Sequence, residues 1–461
     1  MPPLPLRAAL AGALVVLAAC SDRPDATTAP PAPDLRRHHG RPPVDEATVR
    51  AVRLLAYQQG VVPLRRPARV RRPLVRLGQA LAFDPILSGN RNIACTTCHL
   101  PAFATGDARS LSIGEGGAGF GPERTHPAGV LIPRNAPPLF NLGERRRLFW
   151  DGRVEEDAAG IVHTPAGEQV TPEMQRVFEF GAVSALAMFP VTSRTEMRGT
   201  SGNELAAIPD DDATAIWAGL MRRLGAIPEY RAMFRAAYPH TRFEDMTFAH
   251  ASNAIGGFLV DRLSFGDSPW DRFLAGDDRA LTPAQLEGAR TFLSLRCVTC
   301  HTGATFSDDE FHNVAVAQLG PGQGNGPSGR DDFGRMNVTG NPADRYRFRT
   351  SPLRNVELTA PYGHDGAVTS LRAFIAHYSE SDLKLRGFDA HDLDPVLGGT
   401  LLPNAEEILA TRDPLLDGVV LGDEIVDALV AYMQALTDDH ARDLRRLVPH
   451  RVPSGLPVDR P

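Results

Sequence analysis

Two stretches of the chain return apolar side chains to one side of a helix: Ile216, Leu220 and Leu224 in the first, Phe248, Ile255, Leu259 and Leu263 in the second. Steps of four and seven match a period of 3.6, so both are predicted to be helices with a core-facing stripe. A third set, Ile425, Leu429, Tyr432, Met433 and Leu436, follows Asp423 and predicts an amphipathic helix late in the chain. Thr282-Pro283 is a helix start leading toward Cys297, since a side-chain oxygen before a proline suits a helix N-terminus. The glycine-rich run 320–340 neither follows an evident strand nor opens a helix, so it is read as a loop rather than a dinucleotide site. Beyond about Val448 no pattern is usable.

With 461 residues, 43% of them hydrophobic, the chain can build two or three domains with real cores. A formal charge of -6 argues against nucleic acid as a partner. Arg7 precedes an apolar run from Ala8 to Ala19 that is too short to span a bilayer, which makes residues 1–19 a secretory signal. Its end, Leu17-Ala18-Ala19-Cys20, resembles a bacterial lipobox, implying cleavage before Cys20 and acylation of its thiol. The following residues are rich in Pro, Ala and Thr, and 20–72 is assigned to a lipid-anchored flexible tether. The arginine-dense segment containing Arg65, Arg66, Arg69, Arg71, Arg72 and Arg76 is read as a solvated linker that could also meet anionic phospholipid or an acidic protein.

The chemistry sits in Cys95-Thr96-Thr97-Cys98-His99 and its repeat, Cys297-Val298-Thr299-Cys300-His301. On one helical turn the two cysteines can reach the two vinyl groups of a porphyrin, and the histidine that follows is placed as an axial ligand of its iron. Four thiolates on one zinc are the alternative, but zinc gives no reason for a His after each pair. Two covalent haems c are therefore expected. Of the five cysteines, four go to haem and one to lipid, which leaves none for a disulfide. The haem motifs divide the rest into 73–267, 268–440 and a tail, 441–461.

The approach Leu77-Gly78-Gln79-Ala80-Leu81-Ala82-Phe83-Asp84, with Arg134-Asn135-Ala136-Pro137, Phe149-Trp150-Asp151-Gly152-Arg153, Leu353-Arg354-Asn355-Val356 and Pro361-Tyr362-Gly363-His364-Asp365-Gly366, resembles the bacterial dihaem cytochrome c peroxidase superfamily, which includes MauG. The likeness runs from about 73 to 440. It implies a mainly α-helical protein of two cytochrome-c-like haem domains packed together, the late helix being similar to the terminal helix of small cytochromes c. It also implies a peroxidatic first haem on His99 and an electron-transfer second haem on His301.

Cleaving peroxide needs a carboxylate that moves a proton between its oxygens. Glu196, in Phe189-Pro190-Val191-Thr192-Ser193-Arg194-Thr195-Glu196-Met197, resembles the family's Pro-x-Glu-Met signature across a longer gap, and Glu173 is the nearby alternative. Leu186 stands where the family often has Gln. Trp150 corresponds to the tryptophan between the porphyrins. Asn135, Thr359 and Pro361 match the positions that hold a calcium ion, Pro361 only by its carbonyl. Sixteen residues after His99, where switchable members place a ligating His, this chain has Glu115, so the first iron is expected to be open; His126 and His163 are substitutes. Fourteen residues after His364 stands Tyr378 in place of a ligating Met, as in tyrosine-ligated MauG-like members, with His377, Met336 and Met433 as rivals. The expected activity is reduction of hydrogen peroxide in the periplasm with electrons from a small cytochrome c or cupredoxin. The alternative is a MauG-like enzyme that uses peroxide-derived high-valent iron to oxidise a tryptophan or other side chain of a partner protein. A pure electron carrier is the non-enzymatic option, and it would show no open iron.

Overall fold

A computed structural model describes residues 45–65 and 69–460. The signal sequence, Cys20 and Arg66 lie outside the described residues. The protein is mainly helical, with two short antiparallel sheets: three strands at Arg147–Leu148, Val154–Glu156 and Val162–His163, and two at Phe311–His312 and Phe348–Arg349. Among the described residues no helix is long and apolar enough to cross a membrane.

Each haem motif is reached by a helix that crosses a later helix at a glycine. Ahead of Cys95 runs Arg72–Phe83, and a Cβ on its Gly78 would fall 1.8 Å from the Ala254 carbonyl oxygen of the Phe248–Arg262 helix. Ahead of Cys297 runs Pro283–Ser294, and a Cβ on its Gly288 would fall 1.9 Å from the Ala428 carbonyl oxygen of the Asp423–Ala435 helix. Only glycine permits backbones to approach so closely. Thr282 caps the Pro283–Ser294 helix reciprocally with Gln285, as the Thr-Pro start predicts.

The predicted stripes need two adjustments. Phe248 to Val260 are all buried, so that helix is enclosed on every side rather than striped. On Asp423–Ala435 the buried face begins at Val426, while Ile425 is exposed. The Ala213–Gly225 helix buries Ile216, Leu220 and Leu224 as expected.

Two main apolar cores result. One gathers residues from Val70 to Phe265, the other Trp270, Phe273, Phe292, Phe306 and Tyr432 with their neighbours. The stretches at either end of the described chain cross over. Glu46–Gln58, inside the expected tether, is a helix: Asp45 accepts from the amides of Ala47 and Thr48, and Val49, Val52 and Ala56 are buried in the second core. Residues 441–460, assigned to a tail without usable pattern beyond about Val448, return to the first core and bury Ala441, Leu444, Leu447 and Val452 there. Of the arginines read as a solvated linker, Arg72 and Arg76 lie exposed on the Arg72–Phe83 helix, but Arg71 pairs with Glu179 at 2.6 Å.

A buried ionic cluster ties the two parts. Arg134, 6% exposed, holds Asp332 by two hydrogen bonds of 2.6 and 2.8 Å and Asp151 by a third of 2.6 Å. Arg335 donates to Glu155 at 2.6 Å, and the buried Arg145 pairs with Asp309. Removing one partner from such a cluster would leave a buried charge uncompensated, at about 3–5 kcal/mol.

Candidate functional site

The two Cys-x-x-Cys-His motifs fold alike. Cys95–Cys98 and Cys297–Cys300 each form one helical turn, and the histidine amide that follows donates to the first cysteine's carbonyl at 3.1 and 2.9 Å. His99 Nδ1 lies 2.9 Å from the Thr105 carbonyl oxygen, and His301 Nδ1 lies 3.0 Å from that of Phe306. A carbonyl can only accept, so each Nδ1 carries the proton and each Nε2 keeps its lone pair for a metal. Burial pushes both imidazoles down, which keeps them neutral.

Beside the first motif lies a cavity, open in part to solvent, lined by Cys95, Cys98 and His99 and by Glu196, Leu186 and Trp150. Thr96, Thr97 and Leu100 are buried, whereas Cys95, Cys98 and His99 keep accessible surface. Thiols and imidazole are thus the atoms turned to the open space, as a covalently attached porphyrin requires, and the largely apolar lining suits its rings. The residues fit haem c.

Glu196 stands on a single π-helical turn, Arg194–Arg198, in which the amides of Arg198 and Gly199 reach back five residues to Ser193 and Arg194 at 2.8 and 3.1 Å. Such turns displace a side chain from helical register and recur at functional sites. Burial raises the Glu196 pKa, opposed by Arg153 on the same cavity wall, so its carboxyl is held closer to neutral pH than a free one. Glu173, by contrast, is on the surface, 70% exposed, and paired with Arg176 at 2.8 Å. Glu115 is engaged away from the cavity by the amides of Asn90 and Asn92 at 2.7 and 3.1 Å. Neither His126 nor His163 lines it; His163 is exposed and bonds Asp157.

At the second motif, burial raises the Tyr378 pKa, and the charges of Cys300 and Cys297 act the same way, which puts the phenol within electrostatic reach of both thiols. Among the described residues no hydrogen bond engages its hydroxyl. The rival His377 points its Nε2 to the Val314 carbonyl oxygen at 2.7 Å. Met433 is buried in the second core, and Met336 opens the Met336–Thr339 turn.

Trp150 spans the two parts. Its indole Nε1 donates to the Asn135 carbonyl at 2.9 Å, and its own carbonyl accepts from the Arg349 amide at 2.8 Å. The Asn135 side-chain nitrogen donates to the carbonyls of Arg109 and Ser110 at 2.9 and 3.3 Å, which leaves Oδ1 as its atom for a cation. The Asn135 amide donates to the His364 carbonyl at 2.9 Å, and so ties Asn135 to the segment that carries Thr359 and Pro361. Thr359 Oγ1 donates to the Val356 carbonyl at 3.0 Å.

Sequence reasoning passed over three groups at the first cavity: Arg153, 3.7 Å above the Phe149 ring, and Leu444 and Leu447 from the tail. The two leucines' three-residue spacing was their one signal.

The family profile described as di-haem cytochrome c peroxidase matches residues 72–279. Cytochrome c551 peroxidase of Pseudomonas aeruginosa is 31% identical over 307 residues, 67% of this chain and 72% of that protein. The methylamine utilization protein MauG of Methylorubrum extorquens is 29% identical over 305 residues, 66% and 68% of the two chains. Among solved structures, a MauG-like protein associated with microbial copper homeostasis aligns with a TM-score of 0.57 and 25% identity, covering 82% of this chain and 94% of that one.

Proposed function

Because the chain belongs to the di-haem cytochrome c peroxidase family, whose members carry two haems c, we propose that it reduces hydrogen peroxide to water with two electrons, taken one at a time from a small redox protein, and two protons. The observation that carries this reading is Glu196, a carboxyl of raised pKa that lines the same cavity as Trp150 and His99. When bound, haem c supplies peroxide reduction where one axial position is open and electron passage where both are filled.

The chain's residues divide the work. Cys95 and Cys98 would attach the first porphyrin and His99 Nε2 would be its protein ligand; Cys297, Cys300 and His301 would do the same for the second, with Tyr378 as a further ligand. Glu196 takes the proton from the near oxygen of peroxide and returns it to the far one, a role worth roughly 10²–10⁴-fold. Leu186, Pro190 and Met197 keep the pocket apolar, and Arg153 favours the ionised carboxylate for the first half of that transfer. Trp150 lies on the electron path between the two sites. Asn135 Oδ1, Thr359 and the Pro361 carbonyl would hold a calcium ion, since oxygen donors suit a hard cation. The enzyme works in the periplasm, anchored by lipid on Cys20.

Tyr378 favours a second reading, oxidation of a side chain on a partner protein, because an anionic oxygen ligand stabilises oxidised iron. Steady-state peroxide consumption with reduced cytochrome c or cupredoxin decides between them. Rapid turnover supports the peroxidase. Negligible turnover, with new oxygen or a cross-link found by mass spectrometry on a protein encoded nearby, supports the second reading.

A further inference from the structure

The segment 441–460 ends on the first haem-attachment turn. It leaves the second core after the Asp423–Ala435 helix and is fastened to the first in steps: Gln79 Nε2 donates to the Leu447 carbonyl at 2.8 Å, Arg451 pairs with Glu229 at 2.8 Å, and Ser454 Oγ donates to the buried Asp84 at 2.6 Å. At its end Thr97 Oγ1 donates to Asp459 Oδ2. Thr97 is buried, lies between Cys95 and Cys98, and its Oγ1 also accepts the Ala94 amide at 3.0 Å, so one hydroxyl joins the start of the turn to the carboxylate.

Asp459 is half-buried; burial raises its pKa, opposed by the Thr97 hydrogen bond and by the charge of Arg124. The three Arg124 nitrogens each donate to a backbone carbonyl, of Ile113, Gly114 and Gly119 at 2.6, 2.7 and 2.9 Å, and among the described residues no carboxylate is hydrogen-bonded to it. The Ile113 carbonyl is also the one nearest Cys98 Sγ, at 3.9 Å. Asp459 and Arg124 thus act at the attachment turn together with Asp107 and Glu196, whose charges reach Cys98, and removing Asp459 takes one negative charge from that set.

We propose that Asp459 is a positioning residue of the first site: through Thr97 it fixes the turn between the attachment cysteines, and its charge holds the reduction potential of the first haem down. The proposal rests on the reading that Cys95 and Cys98 carry haem. A negative charge beside iron favours the higher oxidation state, and burial in a low dielectric lengthens its reach.

The test is potentiometric titration of the purified holoprotein, with the two haems followed by their separate absorption bands. Asp459→Asn, which keeps size and an acceptor, raises the first potential by at least a tenfold change in the reduction equilibrium, 59 mV for one electron, and leaves the second unchanged. Asp459→Glu restores most of the shift. An unchanged first potential, or an equal shift of both, overturns the proposal. If Asp459→Asn binds no haem, the Glu variant decides: wild-type haem content and potential support the role of the charge, and loss of haem there as well overturns it. Mass spectrometry of the wild-type protein without haem on Cys95 and Cys98 would instead overturn the haem reading, and this proposal with it.

Discussion

The two Cys-x-x-Cys-His sites share one half and differ in the other. On the side of the motif they are near copies: one helical turn, a histidine Nδ1 fixed by a carbonyl five or six residues on, and an incoming helix that meets a later one at a glycine. Beyond the motif, the first site borders a cavity that Glu196 helps to line, and the second lies within electrostatic reach of the Tyr378 phenol. The shared half is built from neighbours in sequence, so a short motif reproduces it. The other half comes from chain far along the sequence, Glu196 lying well beyond His99 and Tyr378 well beyond His301, and there the same motif is put to a different use.

The strongest way to break this contrast is Glu196→Gln. It should slow the reaction with peroxide by at least about 10²-fold in stopped-flow measurements with haem content unchanged; an unimpaired variant would remove the chemical distinction at the first site. Next, Tyr378→Phe should abolish the low-spin signature of the second haem in electron paramagnetic resonance while the first stays high-spin. A wild-type spectrum would make the two sites alike on both sides.

A smaller effect sharpens the contrast through stability. The Glu196 carboxyl has its pKa raised above the usual 4.5, so it binds its proton more tightly folded than unfolded. The stability this gives is complete below the unfolded pKa and is lost as pH rises through the folded value. Glu196→Gln cannot ionise. Its melting temperature should therefore gain on wild type across that window and hold the gain at higher pH, a trend that thermal denaturation at pH 4 and pH 8 would reveal. The smallest effect is expected at Glu173→Gln: an exposed carboxylate paired with Arg176 should leave the peroxide rate unchanged, and a large loss would move the acid-base role out of the cavity.

What could be read from sequence follows the same division. The attachment residues, the Thr282 cap and the buried face of Ala213–Gly225 are local, and spacing exposes them. Glu196 and Tyr378 could be named only by alignment to a family pattern, because nothing in their own neighbourhoods announces a cavity or a thiol nearby. The Glu46–Gln58 helix was legible after the fact: Asp45 is a good cap, and Val49, Val52 and Ala56 keep helical spacing. It was hidden by the Pro-rich composition just before it. Burial of Val426 rather than Ile425 is a register decision made by packing against the neighbouring helix, which periodicity leaves open.

The crossed ends give the protein a schedule. Thr97 and Asp459 are 362 residues apart, and Asp84 and Ser454 are 370 apart. The first attachment motif leaves the ribosome, and any export channel, long before the residues that close over it. Until those arrive, Leu444 and Leu447 are missing from the cavity wall and the cysteines stay open to whatever machinery attaches the porphyrin. The second motif has its N-terminal partner, Glu46–Gln58, waiting from the outset. Contacts this distant slow folding because loop closure must precede them, and here the delay falls on the first Cys-x-x-Cys-His motif and not on the second.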